Sequence, residues 1–260
     1  MGGRVEPSLA KNISSLREVG ALVRSLPALI GSVIPTGLPL PIVAGPLRGM
    51  KWIAGAAAGQ GKGLSVVLDR SEARQLRVAR SVVSRSDIAF DVGANVGIYT
   101  LLFARYSKRV FAFEPLPRNV GYLHRTLQLN HVSNATIVPW ALSDGVGLTS
   151  LREGSNAALG TIDPSGGQPC MTTSCDAFVS TYGVVPDVMK VDVEGAELSV
   201  LQGAADTLNR ARPAILLSTH GERARSACLA FLQELAYEVR PLDGIDPDTA
   251  SEFLCTANRP

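Results

Sequence analysis

Four short stretches of the chain carry residue types that bind ligands or move protons. FDVGANVGIYT (Phe90–Thr100) sets Asp91, Gly93, Ala94, Asn95 and Gly97 directly after an apolar run. Glycines at such a point let backbone approach a ligand that side chains would block. The spacing is not the GxGxxG of dinucleotide sites, and no lysine follows as in a phosphate-binding P-loop. Asp91 suits the amino-acid end of a ligand better than a pyrophosphate. Glu114 follows 23 residues after Asp91, the distance at which an acid meets ribose hydroxyls. Loop and acid together point to an adenosine-containing ligand. The competing accounts are a tight turn and a solvated strand-end carboxylate. KVDVEGAE (Lys190–Glu197) crowds Lys190, Asp192, Glu194 and Glu197 into eight residues. Glu194 and Glu197 suit a helix N-terminus, and Lys190 with Asp192 has the makings of a plain ion pair. The alternative is acid–base chemistry shared with His220 of STHGE, a residue type that accepts a proton near neutral pH. A divalent ion held by Asp192, Glu194 and His220 is a rival and less favoured role for the same groups. His124 and His131 read as surface residues.

These stretches need elements to position them. From about residue 70 the pattern alternates strand and helix. Helical spacing covers 70–84. Strands are expected at 88–92, 109–113, 136–140, 187–192 and 213–218, and two more at 237–242 and 252–257. Helices are expected at 97–106, at 117–130 with Pro117 in its first turn, from the KVDVEGAE stretch to about 211, and at 222–236. Residues 144–170, rich in Gly, Ser and Pro, read as a loop or hairpin excursion. The alternation implies a doubly wound parallel α/β sheet, which binds ligands at the carboxyl ends of its strands. Each chemistry-bearing stretch falls just after such a strand.

Composition narrows the function further. The chain has 260 residues, 46% hydrophobic and 18% charged, which suits a packed core and excludes a disordered chain. Its 25 Lys+Arg against 23 Asp+Glu and its 5% aromatics disfavour a nucleic-acid partner. The four cysteines show neither CxxC nor Cys/His ligand spacing, so they read as thiols in a reducing cytoplasm. No signal peptide is apparent at the start. Residues 25–47 are uncharged and long enough to cross a bilayer. Their five prolines (Pro27, Pro35, Pro39, Pro41 and Pro46) argue against a spanning helix. An extended segment packed over the domain is the plainer expectation, and contact with the inner membrane surface or with a lipid-linked partner is the other.

The motifs DVGANVG, AFEP, ALSD, KVDVEGAE and STHG, in this order, resemble the FkbM-type methyltransferases, and GPLRGMKW (Gly45–Trp52) is similar to a subgroup of them. The resemblance runs from about residue 45 to the C-terminus. It implies the Rossmann-like class I methyltransferase fold: a seven-stranded, mostly parallel sheet with helices on both faces and a last, antiparallel strand. It also implies S-adenosylmethionine as methyl donor, S-adenosylhomocysteine as product, and a hydroxyl of a sugar, glycan precursor or polyketide-like compound as acceptor. On the same basis Gly93, Ala94, Asn95 and Gly97 approach the methionine and ribose, with Thr100 in the same stretch, and Asp91 faces the amino group. Glu114 binds the ribose hydroxyls. Pro115, Leu116, Ala141 and Leu142 flank adenine, and Ser143 or Asp144 reaches its edge. His220 comes first as the base, then Asp192 or Glu194, with Lys190 beside them. The expected organisation is an irregular or helical segment over 1–44, a helical cap over 45–84 and a cofactor-binding domain over 85–260. A nicotinamide-dependent oxidoreductase and a non-catalytic binding module of the same fold are the alternatives.

Overall fold

In the computed structural model of the chain, the described residues are 33–57, 63–153, 160–163, 165–242, 246 and 249–257. Most of the expected 1–44 segment, the first part of the 25–47 stretch and the middle of the 144–170 excursion lie outside them.

A hairpin, β1 (Pro39–Pro41) and β2 (Lys51–Ile53), leads to two helices, α1 (Leu64–Val67) and α2 (Ala73–Val82). The alternation then begins with β3 (Ile88–Val92), α3 (Ile98–Tyr106), β4 (Arg109–Phe113), α4 (Pro117–Leu129) and β5 (Ala135–Val138). The excursion holds β6 (Ala141–Leu142), β7 (Gly147–Glu153), β8 (Gly160–Ile162) and β9 (Gln168–Thr173). The chain continues through α5 (Cys175–Tyr182), β10 (Val188–Val191), α6 (Glu197–Gln202), α7 (Ala205–Ala211) and β11 (Ala214–Ser218). It closes with α8 (Glu222–Glu234), β12 (Glu238–Pro241) and β13 (Glu252–Thr256).

The main sheet has seven strands in the order β12-β13-β11-β10-β3-β4-β5. β3, β4, β5, β10 and β11 pair in parallel, and β13 runs antiparallel between β11 and β12. This is the mostly parallel, Rossmann-like sheet with one antiparallel strand that the motifs imply. All four residues of β10 are buried, as expected of a parallel strand covered on both faces. Successive side chains point to opposite faces. Ala89, Val110, Ala112, Val188 and Leu216 therefore join one core with α2, α3 and α4. Phe90, Phe111, Phe113, Met189 and Ile215 join the other with α5 to α8. In that second core Phe178 packs edge-on against Phe113, with ring centroids 5.0 Å apart.

Four local features differ from the sequence reading. The helix expected to run to about 211 is broken into α6 and α7 at Gly203. A Cβ there would lie 2.0 Å from the Ser143 carbonyl oxygen, so the chains meet backbone to backbone. The excursion is richer than a hairpin: β7 pairs antiparallel with β8 and β9, and the two-residue β6 adds in parallel to β9. Helix α5 was not expected, although Ser174 caps it by accepting from the Ala177 N–H at 3.1 Å. Finally, the boundary expected between 44 and 45 falls inside the β1–β2 hairpin, and part of the expected helical cap is strand β2. Pairing of Pro39 with Ile53 and burial of Ile42, Leu47 and Trp52 in the first core bind this stretch to the domain. Asn130 clamps it from the end of α4: its Oδ1 accepts from the Lys51 N–H at 2.7 Å and its Nδ2 donates to the Lys51 carbonyl at 2.9 Å. Val33, Leu38 and Val43 of the same apolar stretch are exposed. No described helix is long and apolar enough to cross a membrane.

Candidate active site

The carboxyl ends of β3, β4 and β10 surround a cleft of about 290 Å³. The loop after β3 is its floor. The N–H groups of Gly93 and Ala94 both donate to the Phe113 carbonyl at 3.0 Å, tying that loop to β4. Gly93 has φ +80, and a Cβ on it would lie 1.9 Å from the Asp192 carbonyl oxygen. Only glycine lets the two strand-end loops come this close. Gly97, at φ +101, similarly leaves room for Leu123.

Glu114 is buried at the end of β4. Its Oε2 accepts from the Asn95 N–H at 2.7 Å, and its Oε1 accepts from the Leu116 N–H at 2.9 Å and from the Asn119 amide at 3.3 Å. The acid and the glycine loop are thus one unit. An ionised carboxylate offers about four lone-pair directions, so one stays available to a ligand. Burial pushes the Glu114 carboxyl above its ordinary range, against those hydrogen bonds.

Twelve sequence-predicted residues line the cleft: Gly93, Ala94, Asn95, Gly97, Glu114, Pro115, Leu116, Ala141, Leu142, Lys190, Asp192 and Glu194. Asp91 and Thr100 do not. They sit beneath the loop, where Thr100 Oγ1 donates to Asp91 Oδ2 at 2.5 Å, and burial pushes Asp91 up to about 7. Ser143 and Asp144, expected at the adenine edge, are also absent from the lining. The Ser143 N–H is spent on the Thr173 carbonyl of β9, and its own carbonyl faces Gly203.

After β10 the charges converge. Lys190 is buried, with its ammonium 3.1 Å from Asp192 Oδ2, against Ser218 Oγ, and 5.1 Å from the centre of the Tyr99 ring. Ser218 in turn donates to Glu252 Oε2 at 3.0 Å. Burial pulls the Lys190 pKa down, but Asp192, Glu252 and Glu72 more than offset it and leave it raised. Burial would raise Asp192, yet Lys190 and His220 hold it below the usual carboxylate range. It is ionised at neutral pH.

His220 flanks these carboxylates and is as exposed as they are. Its Nε2 is 3.4 Å from Glu194 Oε2 and 3.7 Å from Asp192 Oδ1, and its Nδ1 is 2.7 Å from Glu197 Oε1. The Glu197 hydrogen bond, with Glu194 and Asp192 added, outweighs burial and pushes His220 up to about 9. This corrects the sequence reading of a histidine that accepts a proton near neutral pH: the imidazole is already charged there. Asp192, Glu194 and His220 bring ligand atoms within 4.8 Å of one another, a set able to take a divalent cation once that proton is displaced. Glu197, read from sequence as a helix-end acid, has no exposed surface and orients the imidazole; its other oxygen has no side-chain partner among the described residues. The pairing was hidden because Glu197 and His220 sit on different elements. Glu72 and Trp52 also line the cleft; Trp52 ends the GPLRGMKW stretch without a role of its own, and Glu72 lies outside every motif.

The raised pKa has a stability consequence with a definite sign. A histidine whose folded pKa is about 9, against 6.5 unperturbed, contributes stability fully below about pH 6.5 and loses it as pH rises through about 9. The melting temperature of the wild type should therefore exceed that of His220→Gln most at pH 6. The gap should close by about pH 9.5 in paired thermal scans. A gap that widens with pH would refute the assignment.

Comparison with known proteins identifies the family and the fold. Residues 91–239 match the methyltransferase FkbM domain. The hexuronic acid methyltransferase AglP of Haloferax volcanii is 33% identical over 144 residues, 54% of this chain and 59% of that protein. The chain thus spans less than two thirds of the length of this curated relative. A crystal structure of methyltransferase FkbM from Methylobacillus flagellatus KT aligns with a TM-score of 0.51 at 18% identity, covering 78% of this chain and 56% of the other. That likeness is one of fold. With the domain matched over more than half of its length and the class's strand order around the cleft, the chain belongs to the FkbM family of methyltransferases.

Proposed function

We propose that the protein is an S-adenosylmethionine-dependent O-methyltransferase acting on a hydroxyl of a sugar or glycan precursor. The observation that carries the reading is the single cleft in which a glycine cradle bonded to Glu114 meets an ionised carboxylate, Asp192. The sugar acceptor is supported by the name of the Haloferax relative. No GxGxxG supports a nicotinamide ligand. The catalytic unit in this reading is 85–260, with residues from 52 to 72 supplying one more wall of the cleft.

The residues present fit the donor. Gly93, Ala94, Asn95 and Gly97 would hold the methionine and ribose portions against bare backbone. Glu114 would take the ribose hydroxyls, and Pro115, Leu116, Ala141 and Leu142 would enclose adenine. Asp91, beneath the loop, would act on the amino group through water and not by contact. When bound, S-adenosylmethionine supplies an electrophilic methyl group on a positively charged sulfur.

The chain's own task is to align the acceptor hydroxyl and receive its proton. Alignment of two reactants is worth roughly 7–11 kcal/mol of barrier, and a general base about 10²–10⁴-fold in rate. Asp192 is the cleft-facing, ionised group and is the base in this reading. Its lowered pKa makes it a weak one, so it takes the proton late, as the oxygen becomes acidic on gaining the methyl group. His220 and Lys190 hold it charged and in place.

Calorimetric titration with S-adenosylmethionine, S-adenosylhomocysteine and NAD tests the cofactor. Both sulfur ligands should bind and NAD should not, and Glu114→Ala should weaken both by about tenfold to hundredfold, as expected for a lost charge-assisted hydrogen bond. Binding of NAD alone would overturn the proposal.

A further inference from the structure

We propose that the acceptor is a neutral polyhydroxyl compound and not a sugar acid, and that Glu72 selects it. The inference rests on the methyltransferase reading above and deepens it.

Trp52, Ser71 and Glu72 line the same cleft as the glycine loop and Asp192. All three precede residue 91, where the family match begins, so this wall belongs to the chain's own N-terminal part. Glu72 precedes α2 with φ 52 and ψ 26, a left-handed conformation that L side chains rarely adopt, and its side chain makes no capping bond to that helix. Its carboxyl lies in the field of the Lys190 ammonium, which opposes the rise that burial imposes on its pKa. Trp52 is only 1% exposed, and its indole Nε1 is packed against Gly63, where a Cβ would lie 2.3 Å from it, so it closes the wall without offering its donor to a ligand.

Charge decides what kind of oxygen. The charged residues lining the cleft are Glu72, Glu114, Asp192 and Glu194 against Lys190 alone. The Lys190 ammonium is already engaged by Asp192 and Ser218. Among the described lining residues, no other cation is left to answer an acceptor carboxylate. A sugar acid would bring a fourth negative group against Glu72, Asp192 and Glu194, and like charges in a cleft discriminate strongly. A neutral hydroxyl can donate to Glu72 and brings no charge of its own.

The test uses a matched pair of probes, methyl α-D-glucopyranoside and methyl α-D-glucopyranosiduronate, which differ only in the oxidation of one carbon. Their affinities for the S-adenosylhomocysteine-saturated protein are measured by ligand-observed NMR. The neutral glycoside should bind about tenfold or more tighter than the uronate. Glu72→Gln should shrink that ratio, and Glu72→Lys should tilt it toward the uronate, a gain that misfolding cannot mimic. Equal or tighter uronate binding by the wild type overturns the proposal. So does a ratio unchanged in both Glu72 variants, or failure of both probes to bind while S-adenosylhomocysteine is bound. Failure of S-adenosylhomocysteine itself to bind is a different result, one that strikes the cofactor reading first.

Discussion

Gly93→Ala is expected to abolish S-adenosylmethionine binding and to destabilise the fold by about 2–5 kcal/mol. Two costs add. The residue sits at φ +80, where an L side chain is strained, and its Cβ would lie 1.9 Å from the Asp192 carbonyl oxygen. That neighbour is backbone and cannot swing aside as a side-chain tip would. Relief requires the loops after β3 and β10 to separate. The first carries the cradle and the second carries Asp192, so cofactor and base sites are lost together. Urea denaturation reports the stability change and calorimetry the binding. Affinity within twofold of wild type would show that the loop does not approach the ligand as proposed.

Asp192→Asn separates chemistry from binding. Methyl transfer should fall by about 10²–10⁴-fold, while affinity for S-adenosylmethionine stays within a few-fold of wild type. Asparagine keeps a hydrogen-bond acceptor for the buried Lys190, which alanine would leave with one fewer partner. Turnover is followed with labelled S-adenosylmethionine and whichever glycan fraction the wild type methylates. His220→Gln should cost less, because the imidazole is absent from the cleft lining and acts through Asp192 and Glu194. A larger loss in His220→Gln than in Asp192→Asn would restore the histidine as the proton acceptor. Wild-type turnover that disappears on chelation and returns with a divalent cation would move the role of Asp192, Glu194 and His220 to metal binding.

The protonation of His220 is what reorders these residues. Read along the chain, a lone histidine after a strand looks like the natural base. In the folded chain Glu197, Glu194 and Asp192 surround it and keep it charged to about pH 9. The ionised group facing the cleft is then a carboxylate. Lys190 and Asp192 flank Val191 in one short stretch, so their pairing follows from the strand itself. That of His220 with Glu197 does not, because it depends on where α6 begins relative to the end of β11.

The same division runs through the whole molecule. What the sequence determined by itself is local: the buried strands β3, β4, β10 and β11, and the residues that directly follow them. A parallel sheet carries those residues to one edge whatever else the chain does. Gly93, Glu114, Lys190 and Asp192 were therefore legible from their strands alone. What only the tertiary structure decided is contact between elements remote in sequence. Ser143 and Asp144 were assigned to the adenine edge by adjacency to Ala141 and Leu142. β6 pairs with β9, the Ser143 carbonyl meets Gly203, and neither residue is among those lining the cleft. Trp52 reaches the cleft on the β1–β2 hairpin, which Asn130 ties to the end of α4, and Glu72 reaches it from the turn before α2, an arrangement that no local pattern encodes. Sheet topology follows from periodicity and turns, which are short-range. The protonation of His220 and the wall that faces the acceptor arise from packing across the chain, where burial and neighbouring charge set the chemistry.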